Sequence, residues 1–152
     1  MRLRAGPAVV RDLSRAHARE RAPRWCLVRD VLLVEDSPTL RFVLTEALER
    51  RGCRVHAIEQ ASEVLAAARR LLPAVVILNK MLSGRDGYAV MKELRADPVT
   101  RDVKVMMLTE SKSRQDVMRG IQGGADDYVV KPFDPNDVAV RVERLVRLAH
   151  SG

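Results

Sequence analysis

The sequence is short of the features that hold small proteins together from outside a hydrophobic core. It has only two cysteines in 152 residues. Cys26 and Cys53 form no CxxC pair and have no histidine or second cysteine at zinc spacing, which argues against a zinc site or a disulfide framework and points to reduced, structural thiols. Its three histidines, His17, His56 and His150, are scattered and make no ligand or acid–base set. No stretch approaches the roughly 18 apolar residues of a membrane span, which excludes an integral membrane protein. Arginine interrupts residues 1–29 every few positions, so they lack the unbroken apolar core of a secretory signal, and Asp12 and Glu20 weigh against a transit peptide. A cytoplasmic location is the expectation. With 47% hydrophobic and 31% charged residues, the chain is not wholly disordered. A chain of this length buries roughly 70% of its unfolded surface and needs no covalent or metal staple.

Charge is unevenly placed. The net +7 suggests a nucleic-acid binder until it is located. Residues 1–30 carry eight arginines against Asp12, Glu20 and Asp30, a net +5, whereas the remaining 122 residues are nearly neutral at +2. The division is therefore a basic arm over residues 1–29, disordered or loosely helical, and a folded domain over 30–150. The arm is read as solvated, with attachment to nucleic acid or to an anionic membrane as the alternative.

From Asp30 onward the hydrophobic pattern is regular. Val31–Val34 is a short apolar run suited to a strand buried on both faces. Ser37 can cap the following helix and Pro38 fits its first turn, after which Leu40, Val43, Leu44, Ala47 and Leu48 share one helical face up to Gly52. The cycle repeats: strand two at Arg54–Ile58, helix two at Ala61–Leu72 with Val64, Ala68 and Leu71 inward, and strand three at Ala74–Leu78. A loop runs from Asn79 to Gly87, followed by helix three at Tyr88–Ala96, strand four at Val103–Leu108 and helix four at Ser113–Gln122. Strand five is Tyr128–Val130, and helix five starts near Pro135 with Val138, Val142, Leu145, Val146 and Ala149 on one face. Methionines 81, 91, 106, 107 and 118 read as core or gap fillers. Five strands alternating with five helices predict an α/β fold, a doubly wound parallel sheet whose ligands bind beyond the carboxyl ends of its strands.

Those ends carry chemistry. Strand one ends at Glu35 and Asp36, strand three at Asn79, strand four at Thr109 and strand five at Lys131. With strand order 2-1-3-4-5 they converge on one edge. Two carboxylates, an amide oxygen and a backbone carbonyl suit a hard divalent cation such as Mg²⁺. A hydroxyl and an ammonium opposite them suit a phosphoryl group.

Four stretches carry a more specific resemblance: Val31–Ser37, Met81–Tyr88, Met107–Thr109 and Gly124–Phe133. From Asp30 to about Ala149 the chain resembles the receiver domain of bacterial two-component response regulators, of the stand-alone chemotaxis type. The resemblance implies the flavodoxin-like (βα)5 fold with order 2-1-3-4-5. It implies phosphoryl transfer from a histidine kinase to an Asp at the end of strand three. By position, Glu35 and Asp36 match the acidic pair, and Asn79 and Met81 would complete a Mg²⁺ site. Thr109 and Lys131 match the phosphate-pocket residues and Tyr128 the switch aromatic. The face of helix four, strand five and helix five would receive the signalling partner, a histidine kinase or an output protein; helix one is the other candidate. No helix-turn-helix follows helix five in this sequence, so DNA reading is not expected.

The acceptor position holds Asn79. An acyl phosphate needs an anionic oxygen that attacks phosphorus, and a carboxamide has none to offer. The substitution also lowers the site from net −2 to −1, counting Lys131. Unit charges ~4 Å apart at an effective dielectric of ~20 interact by about 4 kcal/mol, doubled for a divalent ion. Carboxylate desolvation offsets most of this, leaving Mg²⁺ weakened by about 1–2 kcal/mol and the metal-free fold relieved of crowding. Ser83 stands where the family usually has Pro, and Glu110 where it usually has a small residue. Asp86 and Ser83 are poor substitute acceptors. The expectation is a degenerate receiver that is not an enzyme and works by protein contact, with a phosphoacceptor whose Asn79 is an introduced change as the alternative.

Overall fold

The computed structural model describes residues 29–82 and 84–151. The arm, with Trp25, Cys26 and Leu27, lies outside the described residues except for Arg29, as does Ser83. Five parallel strands form one sheet: β1 (Arg29–Val34), β2 (Cys53–Ile58), β3 (Val75–Asn79), β4 (Lys104–Thr109) and β5 (Asp127–Val130). Their order is 2-1-3-4-5, as the resemblance implies. The helices are α1 (Pro38–Arg50), α2 (Val64–Leu71), α3 (Gly87–Ala96), α4 (Arg114–Gln122) and α5 (Pro135–Ser151).

Alternation along the strands divides the core in two. On one face Val31, Leu33, Val75, Ile77, Met106 and Leu108 meet Leu44, Ala47 and Leu48 of α1 and Val138, Val142, Leu145 and Val146 of α5. On the other, Leu32, Val34, Val76, Leu78, Val105 and Met107 meet Val64, Ala67 and Ala68 of α2 and Val90, Met91 and Leu94 of α3. Every residue of β3 is buried. The helix starts are held by side-chain oxygens: Ser37 accepts from the Leu40 amide, Asp86 from Tyr88 and Ser113 from Asp116.

Several sequence expectations need correcting. Helix two opens as a 3₁₀ turn at Ala61–Glu63 and stops one residue early, because Leu72 takes the left-handed conformation at φ 48°. Met81 and Met118 are exposed rather than core residues, since one lies on a short hairpin and the other on the outer side of α4. That hairpin pairs Met81–Leu82 with Arg85–Asp86 inside the predicted loop. Ala149 is exposed, and Ala139 occupies the buried face of α5 in its place. The α4 helix is thinly anchored: Gly120 is its buried residue, while Met118 and Ile121 face outward.

Candidate functional site

The carboxyl ends of β1, β3 and β4 open into a cleft of about 570 Å³ lined by Glu35, Asp36, Asn79, Met81, Thr109, Glu110 and Lys131, among others. Parallel pairing puts these residues together. In register, Val34 faces Leu78 and Thr109 faces Val130, so residues one step further along meet at the rim.

Asn79 sits at the floor, 7% exposed. Its Nδ2 donates to Glu35 Oε2 at 3.1 Å, and its Oδ1 accepts from Lys131 Nζ at 3.1 Å. The carboxamide thus bridges an anion and a cation with each end in its proper role. A carboxylate could make only the second contact. Glu35 is 1% exposed, and its Oε2 also accepts from the Ser37 amide at 3.1 Å. Burial raises its pKa above the ordinary carboxylate value, against the lowering effects of the Ser37 hydrogen bond and Lys131. Glu35 Oε1 has no hydrogen-bond partner and lies 3.8 Å from Lys131 Nζ. Lys131 therefore hydrogen-bonds Asn79 and pairs with the Glu35 carboxylate at the longer distance.

Asp36 is exposed on the cleft wall and Thr109 is buried. Thr109 Oγ1 accepts from the Ser111 amide at 3.1 Å, which holds the hydroxyl at the end of β4. Glu110 is exposed at the mouth. Among the described residues, no group of three or more His, Cys, Asp or Glu side chains is arranged to hold a metal ion. A cation would need Asp36 and the Glu35 Oε1 that accepts no hydrogen bond, supplemented by the Asn79 amide oxygen and the Met81 carbonyl. These are all oxygen donors, and they fit Mg²⁺ in kind but supply one carboxylate fewer than three.

Tyr128, the expected switch residue, is half-buried on β5. Its ring lies over Gly120, where an added Cβ would come within 2.9 Å of it. Its hydroxyl is 3.5 Å from that of Tyr88. Asp86 caps α3, pairs with Arg119 and does not line the cleft. His56 pairs with Asp30 at 2.9 Å, and Asp30 lies near the start of β1, away from the cleft. The sequence reading passed over three residues that shape the site. Arg41 Nη1 donates to the Glu35 carbonyl, Ser37 turns its amide onto the Glu35 carboxylate, and Lys80 reaches α4. Ser37 was visible as a cap, but a main-chain donor leaves no mark in composition.

Comparison with known proteins agrees with this geometry. Residues 31–143 match the family model of the response regulator receiver domain. The DNA-binding response regulator MtrA of Mycolicibacterium smegmatis is 40% identical over 117 residues, 77% of this chain and 50% of that protein. The phosphate regulon transcriptional regulatory protein PhoB of Escherichia coli is 32% identical over 121 residues, 80% of this chain and 53% of that protein. The chain thus spans about half the length of the curated relatives it matches. Among solved structures, the receiver domain of a signal transduction histidine kinase from Syntrophus aciditrophicus superposes with a TM-score of 0.71 at 31% identity, covering 78% of this chain and 90% of that one. The receiver domain of a sensor histidine kinase from Pseudomonas aeruginosa, with a magnesium ion coordinated in its active-site cleft, gives 0.71 at 28% identity, covering 78% and 98%. The fold, the cleft at the strand ends and the matched span together establish that this chain belongs to the response regulator receiver domain family of two-component signalling.

Proposed function

We propose that this receiver works as a phosphorylation-independent interaction module. The observation that carries the reading is the two-ended engagement of Asn79, with Nδ2 on Glu35 and Oδ1 on Lys131. The side chain at the acceptor position has no anionic oxygen to attack phosphorus, and its amide already engages Lys131, the cation that would otherwise face a phosphoryl group, and Glu35, a carboxylate that would otherwise face the metal ion. Thr109 and Lys131 keep the phosphate-pocket chemistry and Tyr128 the switch position, without the covalent step that would use them. Glu35, Asp36, the Asn79 oxygen and the Met81 carbonyl would hold Mg²⁺ more weakly than a three-carboxylate set. The ion, when bound, supplies charge neutralisation in the cleft. The proposed partner is a histidine kinase or an output protein docking on α4, β5 and α5, with residues 30–150 as the acting unit. The proposed place of action is the cytoplasm; among the described residues no helix is long and apolar enough to cross a membrane. The arm at residues 1–29 is assigned no role in this reading.

The test is incubation with acetyl phosphate and Mg²⁺, read by intact-protein mass. The wild-type chain is expected to take up nothing and Asn79→Asp to gain one phosphoryl group. Uptake by the wild type that persists in Asp86→Ala overturns the proposal. An inert Asn79→Asp would place the defect in Glu110 and Ser83 as well. The arm is tested separately: salt-sensitive DNA or vesicle binding that disappears on truncation to residues 30–152 would give it a role.

A further inference from the structure

We propose that Lys80 and Tyr88 form a latch that clamps the first turn of α4 against the start of α3, holding the partner-facing helix in one arrangement without a phosphoryl group. The proposal rests on the reading of Asn79 as a non-acceptor.

Hydrophobic anchoring of α4 is thin, with Met118 and Ile121 outward and Gly120 as its buried residue. A helix held so lightly belongs to the low-stability part of a fold, where polar ties decide its position. Three such ties converge on its first turns. Lys80 Nζ donates to Asp116 Oδ2 at 3.2 Å, with both side chains about three-quarters shielded. The Tyr88 hydroxyl donates to the Asp116 main-chain carbonyl at 2.9 Å. Arg119 lies over the Tyr88 ring, 4.5 Å from its centroid, and pairs with Asp86 at 3.2 Å.

Asp116 is itself fixed. Its carboxylate accepts from the Ser111 hydroxyl and its amide donates to Ser113. These contacts, with Ser111 first and Lys80 next, hold its pKa below the ordinary value, so the anion persists. The other end of the latch is equally firm. Lys80 follows Asn79 directly, and its amide donates to the Leu108 carbonyl at 2.7 Å, continuing the β3–β4 ladder. The residue beside the acceptor position therefore grips the helix whose place a receiver's partner reads. The Tyr88 and Tyr128 rings both pack on Gly120, so a shift of α4 would disturb Tyr128 as well.

Amide hydrogen exchange on the full chain, without phosphodonor or metal, tests the latch. Lys80→Met and Tyr88→Phe should each speed exchange across 114–122 by about threefold to fivefold, as loss of one partly shielded polar contact implies. The β3 amides of Val76–Leu78 should keep their rates, and Lys80→Arg should retain most of the protection. Unchanged α4 rates in both variants overturn the proposal. So does an equal rise in α4 and β3, which would mean general destabilisation. Phosphate uptake by the wild type would sink the interaction-module reading and leave these exchange rates as they are, so the two failures are separable.

Discussion

Replacing Asn79 by Asp should destabilise the metal-free protein and make its stability depend on Mg²⁺. In the wild type, Nδ2 donates to the buried Glu35 carboxylate at 3.1 Å, and Oδ1 accepts from Lys131 at the same distance. In Asn79→Asp the first contact becomes two anionic oxygens at that separation, and the second becomes an ion pair. At an effective dielectric of ~20 each interaction is about 5 kcal/mol, opposite in sign, so they nearly cancel. Two costs remain. The Glu35 carboxylate loses the hydrogen bond it accepts from Nδ2, about 1.5–3 kcal/mol for a charged acceptor, and a second carboxylate is desolvated. The net effect is a loss of about 2–3 kcal/mol at neutral pH, or a fall in Tm of about 10 °C for a domain of this size. Lowering the pH should shrink the deficit, because protonating either carboxylate removes the repulsion. Millimolar Mg²⁺ should recover most of it, while the wild-type Tm should hardly respond. Thermal melts of both proteins with EDTA and with Mg²⁺ measure all of this. An Asn79→Asp protein as stable as the wild type in EDTA at pH 7 would refute the reasoning.

The other predictions concern separate parts of the molecule. Glu35 has a folded pKa raised by burial, so its contribution to stability is fully present below the unfolded value of 4.5 and is lost as pH rises through the folded value. Glu35→Gln should therefore stabilise the metal-free protein at neutral pH, with the gain fading as the pH falls toward 4.5 in a series of melts. Leu72 holds φ 48° and is 63% exposed, so Leu72→Gly relieves the left-handed conformation without emptying the core. Urea titration should give a gain of about 1 kcal/mol. Burial pushes the Cys53 thiol up to about 11. In a Cys26→Ser background, Cys53 should stay unreactive toward a thiol reagent at pH 8 until the protein is unfolded.

The legibility of this chain followed the physics of each feature. Strands buried on both faces read as unbroken apolar runs, and Val75–Leu78 was visible for that reason. The α1 cap at Ser37–Pro38 was visible because capping is a local interaction. Boundaries were displaced wherever the last residue is decided by pairing. Asn79 is polar and looked like the first loop residue, yet it pairs with Leu108 as the last residue of β3. Leu72 looked like helix, and its left-handed φ has no signature in a leucine. The exposure of Met81 depends on the short hairpin, and that of Met118 on how α4 lies on the sheet.

By itself the sequence determined the alternation of strands and helices, the chemistry available at the strand ends and the neutral group at the acceptor position, because these follow from residue type and local periodicity. Periodicity left the strand order open; the family resemblance supplied it, and the folded sheet displays it. Tertiary structure alone decided which atoms meet: that Asn79 bridges Glu35 and Lys131, that Glu35 Oε1 is left without a donor, and that Lys80 reaches Asp116 thirty-six residues away. Such contacts depend on strand register and helix placement set by the whole core, and a one-dimensional pattern of hydrophobicity does not encode them residue by residue.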